Sequence, residues 1–346
     1  MKNFSIFRKY PFWMLGLLLF CSCDLAQELL QPPSEMEAVP LRVTMIYPDD
    51  CIGDEGYCDT LHLGVKRAEA ELQVHLYEVI GQRSDPVLIE MVFREAAQNS
   101  DLVLTAGFQM GEPLSRVAAD FPDVKFAIVD VALDLPNVAG LNYKANEGSF
   151  LVGAIAGLKS ANGQIGYIGG VDVPLLREFE AGYVAGVHAV NPDAVVSIAY
   201  ISEDTSGFNL PDKAKEIALT QYESGVDVIY TVAGGSGLGV LEAAQEQGKY
   251  VIWVDSNGNH LAPGTVLTSM VKQIETSVYG VINETIDGAF MGGIRYLGLA
   301  DGGVDYALDE HNRSELSDEI IATVESLRAK IIAGEIVVPN EVSLPR

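Results

Sequence analysis

From residue 41 onward, short runs rich in Val and Ile alternate with longer stretches whose apolar residues recur every three or four positions. "RVTMIY", "DLVLTAG", "KFAIVDV", "QIGYIGG", "VDVIYTVAG" and "YVIWVD" form the first set. "TLHLGVKRAEAELQ", "VLIEMVFREAAQNS", "REFEAGYVAGVHAV" and "PDKAKEIALTQYESG" belong to the second. A strand that is apolar on both sides must be covered on both faces, and the intervening amphipathic helices supply the cover. The pattern predicts an α/β protein with doubly wound parallel sheets. A chain of 346 residues is longer than one core normally supports, and two such units follow in series. We place the first lobe at 41–143 plus about 272–292, and the second at 144–271 plus about 293–346. "KQIETSVYGVINETIDGAFMGG" reads as one long helix.

Ligands of open parallel sheets collect at the carboxyl ends of the strands. Those ends here carry residues suited to contact: Asp49 and Asp50, Gly107 with Phe108, Asp130, Gly169 with Gly170, Gly234 with Gly235, and Asp255. Two facing lobes would bring them to one cleft. The glycine turn "GGSGLG" departs from the dinucleotide pattern, because Val240 stands where the third glycine is needed, and no P-loop Lys follows. Close approach to a ligand and a tight strand-to-helix turn both remain open for it. The acids of "DDCIGDEGYCD" lack the order of a calcium loop. His62, His75, His188, His260 and His311 are scattered, without metal-ligand spacing. No nucleophile stands beside a base, so neither catalytic residues, nor a metal, nor a cofactor is expected. Lys272, in "LTSMVK", places a cation before a helix start, where it is unfavourable unless a negative or hydroxyl-rich group faces it. A solvated lysine is the plainer alternative.

The amino end sets the compartment. Lys2, Arg8 and Lys9 precede the apolar stretch Pro11 to Phe20, which is too short to span a bilayer and reads as a signal peptide, residues 1–22. Cys23, after "LLLFCS", looks like the lipidated first residue of a bacterial lipoprotein, and residues 23–40 read as a tether. An ordinary leader with stray cysteines is the alternative. The expected location is the cell membrane, lipid-anchored, with the soluble domain in the periplasm or otherwise outside the cytoplasmic membrane. Loss of the leader removes three basic residues and no acid, taking the net charge from −26 to −29. Such a balance excludes nucleic acid, which needs cationic neutralisation. Beyond residue 23 only Cys51 and Cys58 are thiols, and they could close a small disulfide ring or stay reduced.

Taken in order, "IYPDDCIGDEGYCDTLHLGVKRA", "DLVLTAGFQMGEPLSRVAADFPDVKFAIVD", "PNVAGLNYKANEGSFLVGAIAG", "GQIGYIGGVDVPLLREFEAGYVAGVHAVNP", "FNLPDKAKEIALTQYESGVDVIYTVAGGSGLGVLEAAQEQGKYVIWVDS" and "VLTSMVK" resemble the basic membrane protein family of ABC-transporter substrate-binding lipoproteins. The resemblance spans residues 41 to about 305. It implies a type I periplasmic-binding-protein fold, two lobes joined by a hinge, no catalysis, and delivery of a small ligand to ABC permease and ATPase subunits. The ligand it implies is a purine nucleoside or, in a spirochaete branch, riboflavin.

The family's "D-K-S-F-N-Q" falls on Asp54, Glu55, Gly56, Tyr57, Cys58 and Asp59, making Tyr57 the stacking aromatic. Its second-lobe partner falls on Phe208 in "GFNLPDK". Further contacts fall on Phe108, Asp130, Gly234 and Gly235, with Asp255 and Lys272 as the pair that holds ribose hydroxyls. Two departures bear on the ligand. Cys58 replaces an asparagine, and Trp253 replaces a glycine two residues before Asp255. Strand alternation puts 253 and 255 on one side, so the indole approaches the cleft, unless it fills core instead. Losing an amide and gaining aromatic surface favours riboflavin over a purine nucleoside.

Overall fold

The computed structural model describes residues 39–48, 51–81 and 85–341. The leader, Cys23, the tether up to residue 38, and Asp49 with Asp50 lie outside the described residues.

In chain order the elements are β1 (Arg42–Ile46), α1 (Tyr57–Leu72), β2 (His75–Val79), α2 (Pro86–Asn99), β3 (Leu102–Ala106), α3 (Gly111–Asp120), β4 (Lys125–Val129) and β5 (Val138–Tyr143). Then follow α4 (Ala145–Lys159), β6 (Gln164–Val171), α5 (Pro174–Val190), β7 (Val195–Ser202), α6 (Pro211–Glu223), β8 (Val228–Val232), α7 (Gly237–Gln247), β9 (Tyr250–Asp255) and β10 (Val266–Lys272). The chain ends with α8 (Ile274–Ile286), β11 (Gly293–Leu297), β12 (Val304–Tyr306) and α9 (Asp318–Ile332). Two six-stranded sheets result, in the orders β11-β5-β4-β3-β1-β2 and β12-β10-β9-β8-β6-β7. Among these ladders only β10 with β12 is antiparallel.

Burial follows sheet position. Central β3 (LVLTA) and β8 (VIYTV) are buried along their whole length, whereas edge strands β2 and β7 are partly exposed. Helices on both faces seal the central strands, which is why these carry unbroken apolar runs. In the second lobe α4 and α5 meet backbone to backbone. A Cβ at Gly153 would lie 2.2 Å from the Tyr183 carbonyl, so only glycine allows that approach.

Two expectations are corrected here. The long helix expected after Lys272 stops at Ile286, because Gly288 takes a left-handed φ of 67° and Gly292 passes against Pro136, where a side chain would sit 2.3 Å from a carbonyl. The chain then returns to the first sheet: β11 pairs in parallel with β5, from Gly293↔Ala139 to Leu297↔Tyr143. Residues 293–297 therefore belong with the first lobe and not the second. They satisfy the backbone groups that β5 would otherwise expose at an edge. Helix α8 packs on α1 of the first lobe, and α9 packs on α4 of the second.

Candidate functional site

The loop between β1 and α1 is tied at both ends by a disulfide, Cys51–Cys58, with Cα atoms 5.8 Å apart. Inside that ring the buried Asp54 carboxylate accepts from the backbone N–H groups of Gly56 (2.9 Å), Cys58 (3.0 Å) and Asp59 (3.3 Å). It thereby satisfies donors at the start of α1 that Gly56, the residue at the cap, has no side chain to meet. Burial pushes the Asp54 carboxyl up to about 6, against the opposing pull of those N–H groups. Asp59 holds the other side of the loop, accepting from Gly53 N (2.7 Å) and Glu55 N (2.9 Å). The loop is thus set by its own backbone, and Tyr57 is presented to the cleft from its end.

Aromatic faces meet there from both lobes. Tyr57 and Phe108 come from the first, Phe179 and Phe208 from the second. The Phe208 ring lies on Gly170, where a Cβ would intrude to 2.6 Å, and its Cβ lies 3.5 Å from the corresponding point on Gly234. Gly170 makes room for the ring, whereas Gly234 in the glycine turn is set apart by its left-handed φ of 52°, a Cβ there meeting Phe208 at ordinary contact distance. Phe108 follows Gly107, whose φ of 90° turns the chain out of β3 into a short 3₁₀ segment.

Between the rings lies a charged triad. Asp130 follows β4 in the first lobe, while Asp255 and Lys272 end β9 and β10 in the second. Lys272 Nζ stands 2.6 Å from Asp130 Oδ2 and 3.4 Å from Asp255 Oδ1, and the three side chains are 2%, 4% and 11% exposed in the order Lys272, Asp130, Asp255. Rings of Tyr57, Tyr143 and Phe179 surround the ammonium at 5.1, 5.2 and 5.4 Å. Burial works against charge on Lys272, but Asp130 and Asp255 outweigh it and hold the ammonium protonated above the usual lysine range. Burial raises the Asp255 carboxyl, partly offset by Lys272. Asp255 Oδ1 is buried and has the Lys272 ammonium as its one charged neighbour, at a distance longer than the Asp130 contact. Both aspartates have left-handed backbones, φ 62° at Asp130 and 66° at Asp255, an uncommon geometry for a residue other than glycine.

Tyr57, Phe108, Asp130, Phe208, Gly234, Gly235, Asp255 and Lys272 all border one cavity of about 240 Å³, together with Asp54 and the Cys51–Cys58 pair. Asp54 spends its oxygens on backbone donors, so its part in the site is to build the loop. Trp253 is a correction. It is 2% exposed and packs in the second-lobe core with Val240, Val251 and Val266, away from the cavity. Strand alternation does not carry through to Asp255, whose left-handed turn swings its carboxylate into the cleft while the indole stays beneath the sheet. Cys58 likewise offers no free thiol, being bridged to Cys51. Phe179 and Tyr143 escaped the sequence reading: Phe179 lies in an ordinary amphipathic run and Tyr143 in an ordinary strand, and only the fold sets them beside Lys272. No group of His, Cys, Asp or Glu suited to a metal ion occurs among the described residues, and no described helix is long and apolar enough to cross a membrane.

A family model described as "ABC transporter substrate-binding protein PnrA-like" matches residues 41–342. The chain is 36% identical to the CD4+ T-cell-stimulating antigen of Listeria innocua over 264 residues, 70% of this chain and 71% of that protein. It is 30% identical to Basic membrane protein A of Borreliella burgdorferi over 336 residues, covering 94% of each. Among solved structures, an ABC transporter solute-binding protein of Aeropyrum pernix superposes with a TM-score of 0.79 at 28% identity, over 87% of this chain and 94% of that one. A second, from Conexibacter woesei, has the same fold, with a TM-score of 0.68 at 24% identity over 87% of this chain and 99% of that one. The family model and these two solved structures are described as substrate- or solute-binding proteins, not enzymes. With its two parallel-sheet lobes and the cleft between them, the chain belongs to the Bmp family and is an ABC-transporter substrate-binding protein of the type I periplasmic-binding fold.

Proposed function

We propose that the cleft captures a purine nucleoside and hands it to the permease of an ABC importer. The observation that carries this reading is the Asp130–Lys272–Asp255 triad set beside Tyr57 and Phe208 in one cavity. Paired aromatic rings suit a flat heterocycle, at about 1–3 kcal/mol per stacked face. Acceptors on either side of a lysine donor suit the hydroxyls of a sugar. The grounds for preferring riboflavin fall away, since Trp253 lies in the core and Cys58 is bridged. A cavity of about 240 Å³ is also small beside the ~300–1,000 Å³ usual for ligand sites, which favours the smaller molecule. One lysine against two carboxylates leaves the triad net negative, so a phosphorylated nucleoside is repelled. Anchoring through a lipid on Cys23, the tether, and docking to permease and ATPase subunits complete the proposal.

Calorimetric titration with inosine, inosine monophosphate and riboflavin tests it. Inosine binds at micromolar concentration or below, and the monophosphate binds at least about tenfold more weakly. Tighter binding of riboflavin than of inosine would overturn the nucleoside reading.

A further inference from the structure

Trp253 is buried in the second lobe, yet its one polar atom is satisfied by the first. The indole is held by Gly237, where a Cβ would come within 3.2 Å of the ring, and by Gly258, where one would come within 2.4 Å. From this fixed seat Nε1 donates to the backbone carbonyl of Glu55, 3.0 Å away, across 198 residues of sequence. Ser256 Oγ donates to the same carbonyl at 2.5 Å. Glu55 sits at the tip of the disulfide-closed loop that presents Tyr57, with a left-handed φ of 52° and its own N–H held by Asp59. Its neighbour Gly56 lies beneath the carbonyl of Val254, where an added Cβ would be at 3.6 Å. Neither Trp253 nor Ser256 borders the ligand cavity. The indole N–H therefore has a rigid base in one lobe and an acceptor in the other.

We propose that Trp253 and Ser256 are positioning residues that latch the Tyr57 loop onto the second lobe when the cleft closes. When the lobes part, both donors lose the Glu55 carbonyl and must be met by water, so the two hydrogen bonds belong to the closed state alone. Contacts made only in that state shift the open–closed equilibrium, and with it the affinity for every ligand by one common factor. The inference rests on lobe closure and not on which ligand is bound.

The test uses Trp253→Phe, which keeps a ring in the core and deletes the N–H, together with Ser256→Ala and the double variant. Inosine, hypoxanthine and riboflavin serve as titrants, so that a ring with its tail, a bare ring and a larger ring are compared. The double variant loses about tenfold in affinity for each titrant that the parent protein binds, mostly through faster dissociation, and Ser256→Ala alone loses about threefold. The thermal midpoint of ligand-free Ser256→Ala stays at the parent value, because its hydrogen bond forms only on closure. Where Trp253→Phe does not fold, Ser256→Ala decides alone. Unchanged affinity in the folded variants overturns the latch. A loss confined to inosine, with hypoxanthine spared, also overturns it, since these residues would then be acting on the sugar.

Discussion

In both sheets the strand third from the β11 or β12 edge ends in an aspartate with a left-handed backbone, Asp130 after β4 and Asp255 in β9. In both, the fourth strand runs into a glycine of positive φ and a short 3₁₀ turn, at Gly107 after β3 and Gly234 after β8. The lobes thus repeat one backbone plan down to the strand ends. They diverge in what stands beside those ends. The second strand ends in Tyr143 in the first lobe and in Lys272 in the second. The fifth strand leads into a disulfide-closed loop carrying Tyr57 in one, and straight into α5 with Phe179 in the other. The common plan supplies the two aspartates, and the unmatched residues supply the cation and the rings around it. Because the triad's cation comes from one lobe and its nearer carboxylate from the other, the shorter ion pair is made only across the cleft.

Removing the unmatched cation breaks this comparison most severely. Lys272→Met leaves two carboxylates facing each other in a buried site, and loss of one partner from such a group costs about 3–5 kcal/mol. Inosine affinity is expected to fall more than about 100-fold by calorimetry, with a smaller loss for hypoxanthine, which lacks the sugar. Equal losses for both would remove the polyol role of Lys272. The rings come next: Tyr57→Ala and Phe208→Ala are each expected to weaken binding by more than about tenfold, with the circular dichroism spectrum unchanged. Comparable losses from the two lobes indicate a ring held between them, whereas unchanged affinity in both variants would end the stacking picture.

The last test reads stability instead of affinity and concerns Asp54, which has no counterpart in the second lobe. Its carboxyl takes up a proton at about 6 in the folded protein but only near 3.8 when unfolded. The folded state therefore holds more protons between those values. Asp54's contribution to stability is greatest below 3.8 and is lost as pH rises through about 6, by up to about 3 kcal/mol. Denaturant midpoints of the parent and of Asp54→Asn, measured between about pH 4 and 7, are expected to differ in slope over that window. Parallel profiles would show that the loop carboxylate does not titrate there.

Much of this was legible in the chain. Central strands such as β3 and β8 announced themselves because full burial demands uninterrupted apolar side chains. Edge strands β2 and β11 did not, since they are short, half-exposed and carry mixed residues, and β12 did not because it is only three residues long. Strand-end residues Asp130, Asp255, Gly107 and Gly234 could be nominated because parallel sheets gather ligands at that end. Asp54 could be nominated too, but its oxygens go to the loop backbone. In sequence, a loop acid that faces a ligand looks the same as one that faces three backbone N–H groups.

By itself the sequence determined the α/β class, the two-lobe organisation and the strand ends at which a ligand would be met, because these follow from short-range periodicity and from where glycine and aspartate interrupt it. Tertiary structure alone decided that β11 rejoins the first sheet and that Lys272 answers Asp130 across the cleft. It alone sent Trp253 away from the ligand and toward Glu55. Each of those outcomes depends on groups far apart in the chain and on a single turn of the backbone at one residue, which local pattern does not encode.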